Sequence, residues 1–199
     1  MRLVLASSSP RRAELLTAAG YTFEVLTVPV DETVRIGESP HDHVRRLAAE
    51  KSAAAWEVCG RRKPENAQPV EPLVVMGADT VVVADGEMLG KPNDDEDARA
   101  MLRQLSGRDH LVVTGVSIRT SYEEAGGVDE TRVWFRPLAA GEIAWYVKTG
   151  EGRDKAGAYA IQGRASRFVP RIDGSYSNVV GLPLALVDHL IGRAVASRG

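Results

Sequence analysis

One cysteine, Cys59, in 199 residues leaves no internal disulfide and no cysteine-based zinc site. Long apolar runs are missing too: none approaches the roughly 18 residues of a membrane helix. The apolar part of Met1–Ser7 is too short for a signal peptide, so the expectation is a cytoplasmic protein without a membrane partner. Neither sign of charge dominates, since 25 Lys and Arg face 27 Asp and Glu for a net charge of −2. No global basic field is left to attract nucleic acid, and any anion site must be a local cluster. Aromatic residues make up only 6%, and no basic face is interleaved with them. The four histidines lack metal-ligand spacing, and no GxxxxGK[ST] loop occurs, which argues against a P-loop nucleotidase. No internal repeat or low-complexity tract is present.

What the chain does contain is an ordinary globular composition, 44% hydrophobic and 26% charged. Its length suits one large domain or two small lobes. The most informative stretch is Met76-Gly77-Ala78-Asp79-Thr80-Val81-Val82-Val83. A strand from Leu73 to Met76 is expected to enter a small-residue kink and leave as a second apolar run. Asp79 sits in the middle of it. A carboxylate in an apolar interior is costly unless paired or metal-bound, and Asp is a poor strand former. A metal, a proton to move or a tight turn each explains its presence.

Leu3-Val4-Leu5 reads as a buried strand, followed by Ser7-Ser8-Ser9-Pro10-Arg11-Arg12. Ser9 suits an N-cap and Pro10 a first helical position, with Leu15, Leu16 and Ala19 facing inward. This is either an anion site at a helix N-terminus, reinforced by two arginines, or an ordinary capped helix with solvated arginines. A strand is expected over Tyr21–Val28, then a loop carrying Asp31 and Glu32. Ser39-Pro40 starts a helix to about Val58, with Val44, Leu47, Ala48, Ala54 and Ala55 inward. Lys51 shares that face, where a lysine either snorkels out or points at an anion. The connection Cys59–Pro72 holds three prolines and Arg61-Arg62-Lys63, and reads as exposed.

Asp85-Gly86 signals a hairpin, returning through Glu87-Met88-Leu89 to Gly90-Lys91-Pro92. Asp94 or Asp95 caps a helix with Ala98, Met101, Leu102 and Leu105 inward. A strand over Leu111–Ile118 turns at Glu123–Gly127 and comes back as Thr131–Arg136. His110 is either catalytic or, as is commoner at a strand start, structural. A helix over Ala139–Thr149 stops at Gly150. The small-residue run ending Ala160-Ile161-Gln162-Gly163 is either a ligand-approach segment or a close-packed strand with a bulge. Phe168-Val169 is expected as a last strand, Asp173–Asn178 as a turn cluster, and the chain from about Leu182 to Ala196 as helix. Alternating strands and helices, then hairpins, predict an α/β fold on a mixed sheet.

Leu5-Ala6-Ser7-Ser8-Ser9-Pro10-Arg11-Arg12, Gly77-Ala78-Asp79-Thr80, Gly90-Lys91-Pro92, Leu105-Ser106-Gly107 with His110, Thr114-Gly115-Val116, Lys155-Ala156-Gly157-Ala158-Tyr159 and Asn178–Leu184 together resemble the Maf-like nucleotide pyrophosphatases in order and content. The resemblance covers essentially the whole chain. It implies a Maf/Ham1-type (ITPase-like) fold: a single domain over 1–199, with an elongated twisted mixed sheet flanked by helices and two lobes around a nucleotide cleft. It also implies hydrolysis of a nucleoside triphosphate to monophosphate and pyrophosphate with Mg²⁺ or Mn²⁺, in nucleotide house-cleaning or pool control. A non-catalytic nucleotide-binding regulator of septum formation is the alternative, and a homodimer is implied by resemblance only. By the same resemblance Asp79 matches the proton acceptor and Glu32 a position of the polar cleft, and these two carboxylates with phosphate oxygens are expected to hold the divalent metal. Ser7, Arg12, Lys51 and Lys91 match the polar phosphate cleft. Arg11, Thr80 and Gln162 match the branch acting on dTTP and UTP, whose amide suits the O4 and N3–H shared by thymine and uracil.

Overall fold

The structure, a computed structural model, describes residues 1–61 and 72–196. Most of the expected exposed connection Cys59–Pro72 lies outside the described residues. The elements in chain order are β1 (Arg2–Ala6), α1 (Pro10–Ala18), β2 (Phe23–Val25), α2 (Pro40–Arg61), β3 (Leu73–Ala84), β4 (Glu87–Leu89), α3 (Asp95–Leu105), β5 (Asp109–Arg119), β6 (Glu124–Trp134), α4 (Ala140–Lys148), β7 (Arg171–Asp173), α5 (Tyr176–Val180) and α6 (Leu184–Ala196). The strands form one sheet of order β2-β1-β3-β5-β6-β7, with β4 paired to β3. β1 pairs parallel with β2 and β3, whereas β3–β4 and β6–β7 pair antiparallel, so the sheet is mixed as expected.

The chain divides into two compact units. Unit 1 takes the described residues of Met1–Asp79, Thr114–Asp129 and Gly181–Gly199; unit 2 takes Thr80–Val113 and Glu130–Val180. In unit 1, Leu3, Val4, Leu5 and Ala6 of β1 are all buried, the continuous apolar run of a strand covered on both faces. β3 is equally apolar and runs unbroken through Gly77, without the expected kink. Gly77 serves packing instead. A Cβ there would lie 2.1 Å from the Ala48 carbonyl oxygen and 2.7 Å from the Ser52 nitrogen, both backbone atoms of α2. Gly115 of β5 is similarly close to α2, with its hypothetical Cβ 2.3 Å from the Val44 oxygen. Two side-chain-free positions therefore let one helix rest directly on the sheet backbone.

In unit 2 the core gathers α3, α4 and the inner faces of its strands around Leu102, Leu105, Tyr146 and Phe168, each at most 0% exposed. α3 is written plainly in the sequence. Asp94 Oδ1 accepts the N–H groups of Glu96 (2.9 Å) and Asp97 (2.8 Å), and the four predicted inward residues are buried. The Asp85-Gly86 turn forms as predicted, both residues at positive φ (52° and 82°), joining β3 to β4. His110 is structural. It is buried, its Nε2 lies 2.8 Å from the Tyr159 hydroxyl, and its ring packs edge-on against Phe135 and Tyr159. Burial pulls its pKa from 6.5 down to about 4.

Several expectations need correction. β2 spans three residues rather than Tyr21–Val28, and Ala19 is exposed. α2 continues to Arg61, and the segment from Glu124 to Gly127 is already strand, its turn lying before it. Residues 156–158 and 164–168 form short 3-10 turns, not strands; Gly157 (φ 68°) and Ala158 (φ 58°) are both left-handed, which no strand permits. The last strand is Arg171–Asp173, and the expected turn cluster ends in the short helix α5.

Two outcomes follow from this packing. Gly77→Ala is expected to lose about 3 kcal/mol of stability, read from the urea midpoint, because its new methyl meets backbone that cannot swing aside. For His110, the unfolded chain takes up a proton near pH 6.5 whereas the fold resists until about 4. Between those values the unfolded state binds more protons, so stability falls as pH drops through the window. The His110→Gln variant should flatten that loss by roughly 3 kcal/mol, measured as unfolding free energy at pH 7 and pH 4.

Candidate active site

Asp79 is 8% exposed, an acid inside an apolar strand, and the structure supplies its partner. Lys51 Nζ donates to Asp79 Oδ1 at 2.7 Å and pairs with Glu32 Oε1 at 2.7 Å. Lys51 does not snorkel out; it is 9% exposed, and its ammonium is shared by two carboxylates. The reach is set by packing. Ala48 and Ser52, either side of Lys51 on α2, are the residues pressed on Gly77. Asp79, two residues further along β3, presents its side chain on the same face as Gly77. The pleat puts Thr80 on the opposite face of that strand from Asp79.

Glu32 belongs to a long stretch without regular structure, yet the region is tied down. Arg46 of α2 donates Nη2–H to the Thr33 carbonyl (3.1 Å), next to Glu32. The same guanidinium grips Glu38 with Nε (2.6 Å) and Nη2 (2.8 Å). Glu38 also accepts the Arg35 N–H (3.0 Å) and meets His43 Nδ1 at 3.0 Å. The hydrogen bonds from Arg46 hold the Glu38 carboxyl well below the usual carboxylate range. Asp31 Oδ1 adds a turn bond from the Thr33 N–H at 3.0 Å. A bidentate arginine thus fixes the chain that follows Glu32.

Ser7 follows β1, and its Oγ accepts from the Ser9 N–H (3.2 Å) and from Arg12 Nη1 (3.1 Å). Arg12 Nη1 also donates to the Ala78 carbonyl and Nε to the Gly181 carbonyl, both at 2.8 Å. Ser9 makes no side-chain cap. Arg12 is therefore a buried anchor joining the end of β1, β3 and the approach to α6, more committed to the protein than a solvated arginine. Burial lowers its pKa, and the charges of Asp79 and Glu32 act against that. One electrostatic cluster in unit 1 thus contains Ser7, Arg12, Glu32, Lys51 and Asp79.

Arg11, half-buried on α1, belongs to the same unit. Thr80, Lys91 and Gln162 belong to unit 2, where Lys91 and Gln162 are exposed. There the Gly157 N–H donates to the Gly90 carbonyl (3.1 Å), linking the chain before Lys91 to the turns before Gln162. Sequence reading missed the Arg46–Glu38 pair and both carbonyls that hold Arg12. A carbonyl has no signature in sequence; the pair could have been sought as a Glu just ahead of an N-cap with an Arg on the first turns behind it.

A family model described as "Maf-like protein" matches residues 2–194. The chain belongs to the Maf-like family. This Maf-like chain is 48% identical to a dTTP/UTP pyrophosphatase of Shewanella oneidensis, with 98% of each chain covered. It is 51% identical to one of Anaeromyxobacter dehalogenans (97% of this chain, 94% of that one) and 49% identical to one of Pelotomaculum thermopropionicum (95% and 94%). Among solved structures it is similar to the Ham1 protein of Staphylococcus aureus, 14% identical over all of both chains with a TM-score of 0.49. No helix among the described residues is long and apolar enough to cross a membrane.

For metal, no group of three or more His, Cys, Asp or Glu among the described residues is placed to hold an ion. Two carboxylates, Asp79 and Glu32, do converge on one cationic nitrogen. That oxygen pair fits a hard divalent cation only if a substrate supplies further oxygens.

Removing Lys51 tests the pairing. Lys51→Met is expected to cost about 3 kcal/mol, because Asp79 is left buried without its ammonium, and Lys51→Met with Asp79→Val should recover most of that loss. Urea unfolding of the two variants and the wild type gives the comparison.

Proposed function

We propose that this Maf-like protein hydrolyses dTTP and UTP to the monophosphate and pyrophosphate, in the cytoplasm, as a means of nucleotide house-cleaning or pool control. The observation that carries the reading is the buried ammonium of Lys51, bonded at 2.7 Å to both Asp79 and Glu32. Relatives about half identical over the whole chain, named for that activity, support the substrate assignment.

A triphosphate brings about four negative charges near neutral pH, and phosphoryl chemistry is governed by positioning and charge stabilisation. Arg12 and Lys51 supply fixed positive charge in unit 1, joined in the proposal by Arg11 and Lys91. Ser7 holds the turn at the end of β1 and the anchoring arginine together. Asp79 orients the attacking water and takes its proton as the α-phosphorus is attacked, and pyrophosphate leaves. Lys51 keeps the Asp79 carboxylate aimed, and the tethered loop keeps Glu32 beside it. Asp79 and Glu32 would hold Mg²⁺ or Mn²⁺ together with phosphate oxygens; when bound, the ion neutralises charge on those oxygens. Gln162 reads O4 and N3–H of the base, which rejects cytosine because its pattern leaves the amide unpaired.

Pyrophosphate release from UTP, dTTP and CTP, with Mg²⁺ or Mn²⁺, is the direct assay. Asp79→Asn should lower turnover of UTP by at least about a hundredfold while nucleotide binding changes little. Turnover near the wild-type rate in that variant would remove Asp79 from its role.

A further inference from the structure

Gln162 is exposed, while its neighbour Ile161 is buried in the core of unit 2. The Gly163 N–H donates to the Ala160 carbonyl (3.1 Å), so Gln162 is a central residue of a tight turn. A turn closed by one such bond is free to rock. Here the backbone on each side of it is held from below. The Ala160 N–H donates to the Tyr146 hydroxyl (3.0 Å), and that hydroxyl donates to Glu151 Oε1 (3.2 Å). The same Glu151 oxygen accepts the Arg164 N–H at 2.7 Å. Tyr146 is 0% exposed, and the Glu151 side chain is 18% exposed.

The surroundings are shaped for this carboxylate. Gly150, at φ 72°, ends the turn after α4 and delivers Glu151 directly behind it. A Cβ at Gly163 would lie 2.1 Å from Glu151 Oε1, so only glycine lets the acid approach the turn this closely. An acid that is mostly buried, hydrogen-bonded by a buried tyrosine and a backbone amide, is expensive to keep for a surface turn. Its two hydrogen bonds bracket one residue that points outward.

We propose that Tyr146 and Glu151 are positioning residues for substrate specificity, fixing the turn so that the Gln162 amide meets the base edge in one orientation. This rests on the proposed base-reading role of Gln162. Both lie outside the Ser7–Arg12–Lys51–Asp79 cluster, and their effect is on which base is accepted.

The readout is the ratio of kcat/KM for UTP to that for CTP. Gln162→Ala is expected to lower it, and Glu151→Ala to lower it by about tenfold or more, because a slightly displaced amide no longer discriminates. The double variant should be no worse than Gln162→Ala alone, since Glu151 acts through Gln162. Glu151→Gln, which keeps the acceptor oxygen, should restore the wild-type ratio. Tyr146→Phe, which removes the acceptor for the Ala160 N–H, should lower it and stands in if Glu151→Ala does not fold. A lowered ratio in Gln162→Ala with an unchanged one in Glu151→Ala and Tyr146→Phe overturns the positioning role alone. Additive losses in the double variant, or a Glu151→Gln ratio as low as that of Glu151→Ala, overturn it as well. An unchanged ratio in Gln162→Ala overturns the base-reading role itself, and the positioning role with it.

Discussion

The ammonium of Lys51, held between Asp79 and Glu32, is the interaction on which the surrounding structure depends. Taking a carboxylate and an ammonium out of water costs several kcal/mol each, and their attraction offsets this only with good geometry. An apolar pair of similar size would serve stability as well or better. The arrangement therefore makes sense as chemistry retained at some expense to the fold. Its geometry has a backbone origin. Glycine at position 77 brings α2 against β3, and the lysine stem then spans the short remaining gap to the acid on the same strand face.

Arginine contributes differently. Arg12 meets the Ser7 hydroxyl and the carbonyls of Ala78 and Gly181, so it secures three separate pieces of chain while carrying its charge into the cluster. Arg46 does comparable work at the edge, tying Glu38 and the Thr33 carbonyl to α2. A planar fork of donors suits such tasks better than a lysine, whose single charged point suits the shared position between two acids. Of Arg12, Arg46 and Lys51, the two arginines thus hold the chain around the candidate site and the lysine lies between its acids.

Sequence alone carried the elements with strong local signals. The Asp94 cap, the Asp85-Gly86 hairpin and the continuous apolar run of β1 each have local causes. Asp79 was conspicuous for a physical reason, its charge amid Val and Met. Its partner was not, because a lysine on an inner helix face is as able to bend outward as to remain, and what decides between them is 28 positions away. The loop holding Glu32 was legible only as a loop, since the guanidinium that tethers it comes from the following helix. The segment around Ala158 left a close-packed strand open as one of two readings, because small apolar residues permit one. Its left-handed backbone is imposed by tertiary contacts, including the bond from Gly157 to Gly90.

The two glycine seats under α2 also limit how this chain can change length. Val44 rests on Gly115 and Ala48 on Gly77, one helical turn apart, and Lys51 follows within another turn. Inserting or deleting one residue between 44 and 51 would rotate everything beyond it by about 100°. Either the seats would clash with side chains or the lysine would swing off the acid. Seven residue steps of helix therefore act as a fixed ruler. Sequence drift can alter the outward letters of that segment, but its number of residues is set by the distance from a backbone contact to a charge.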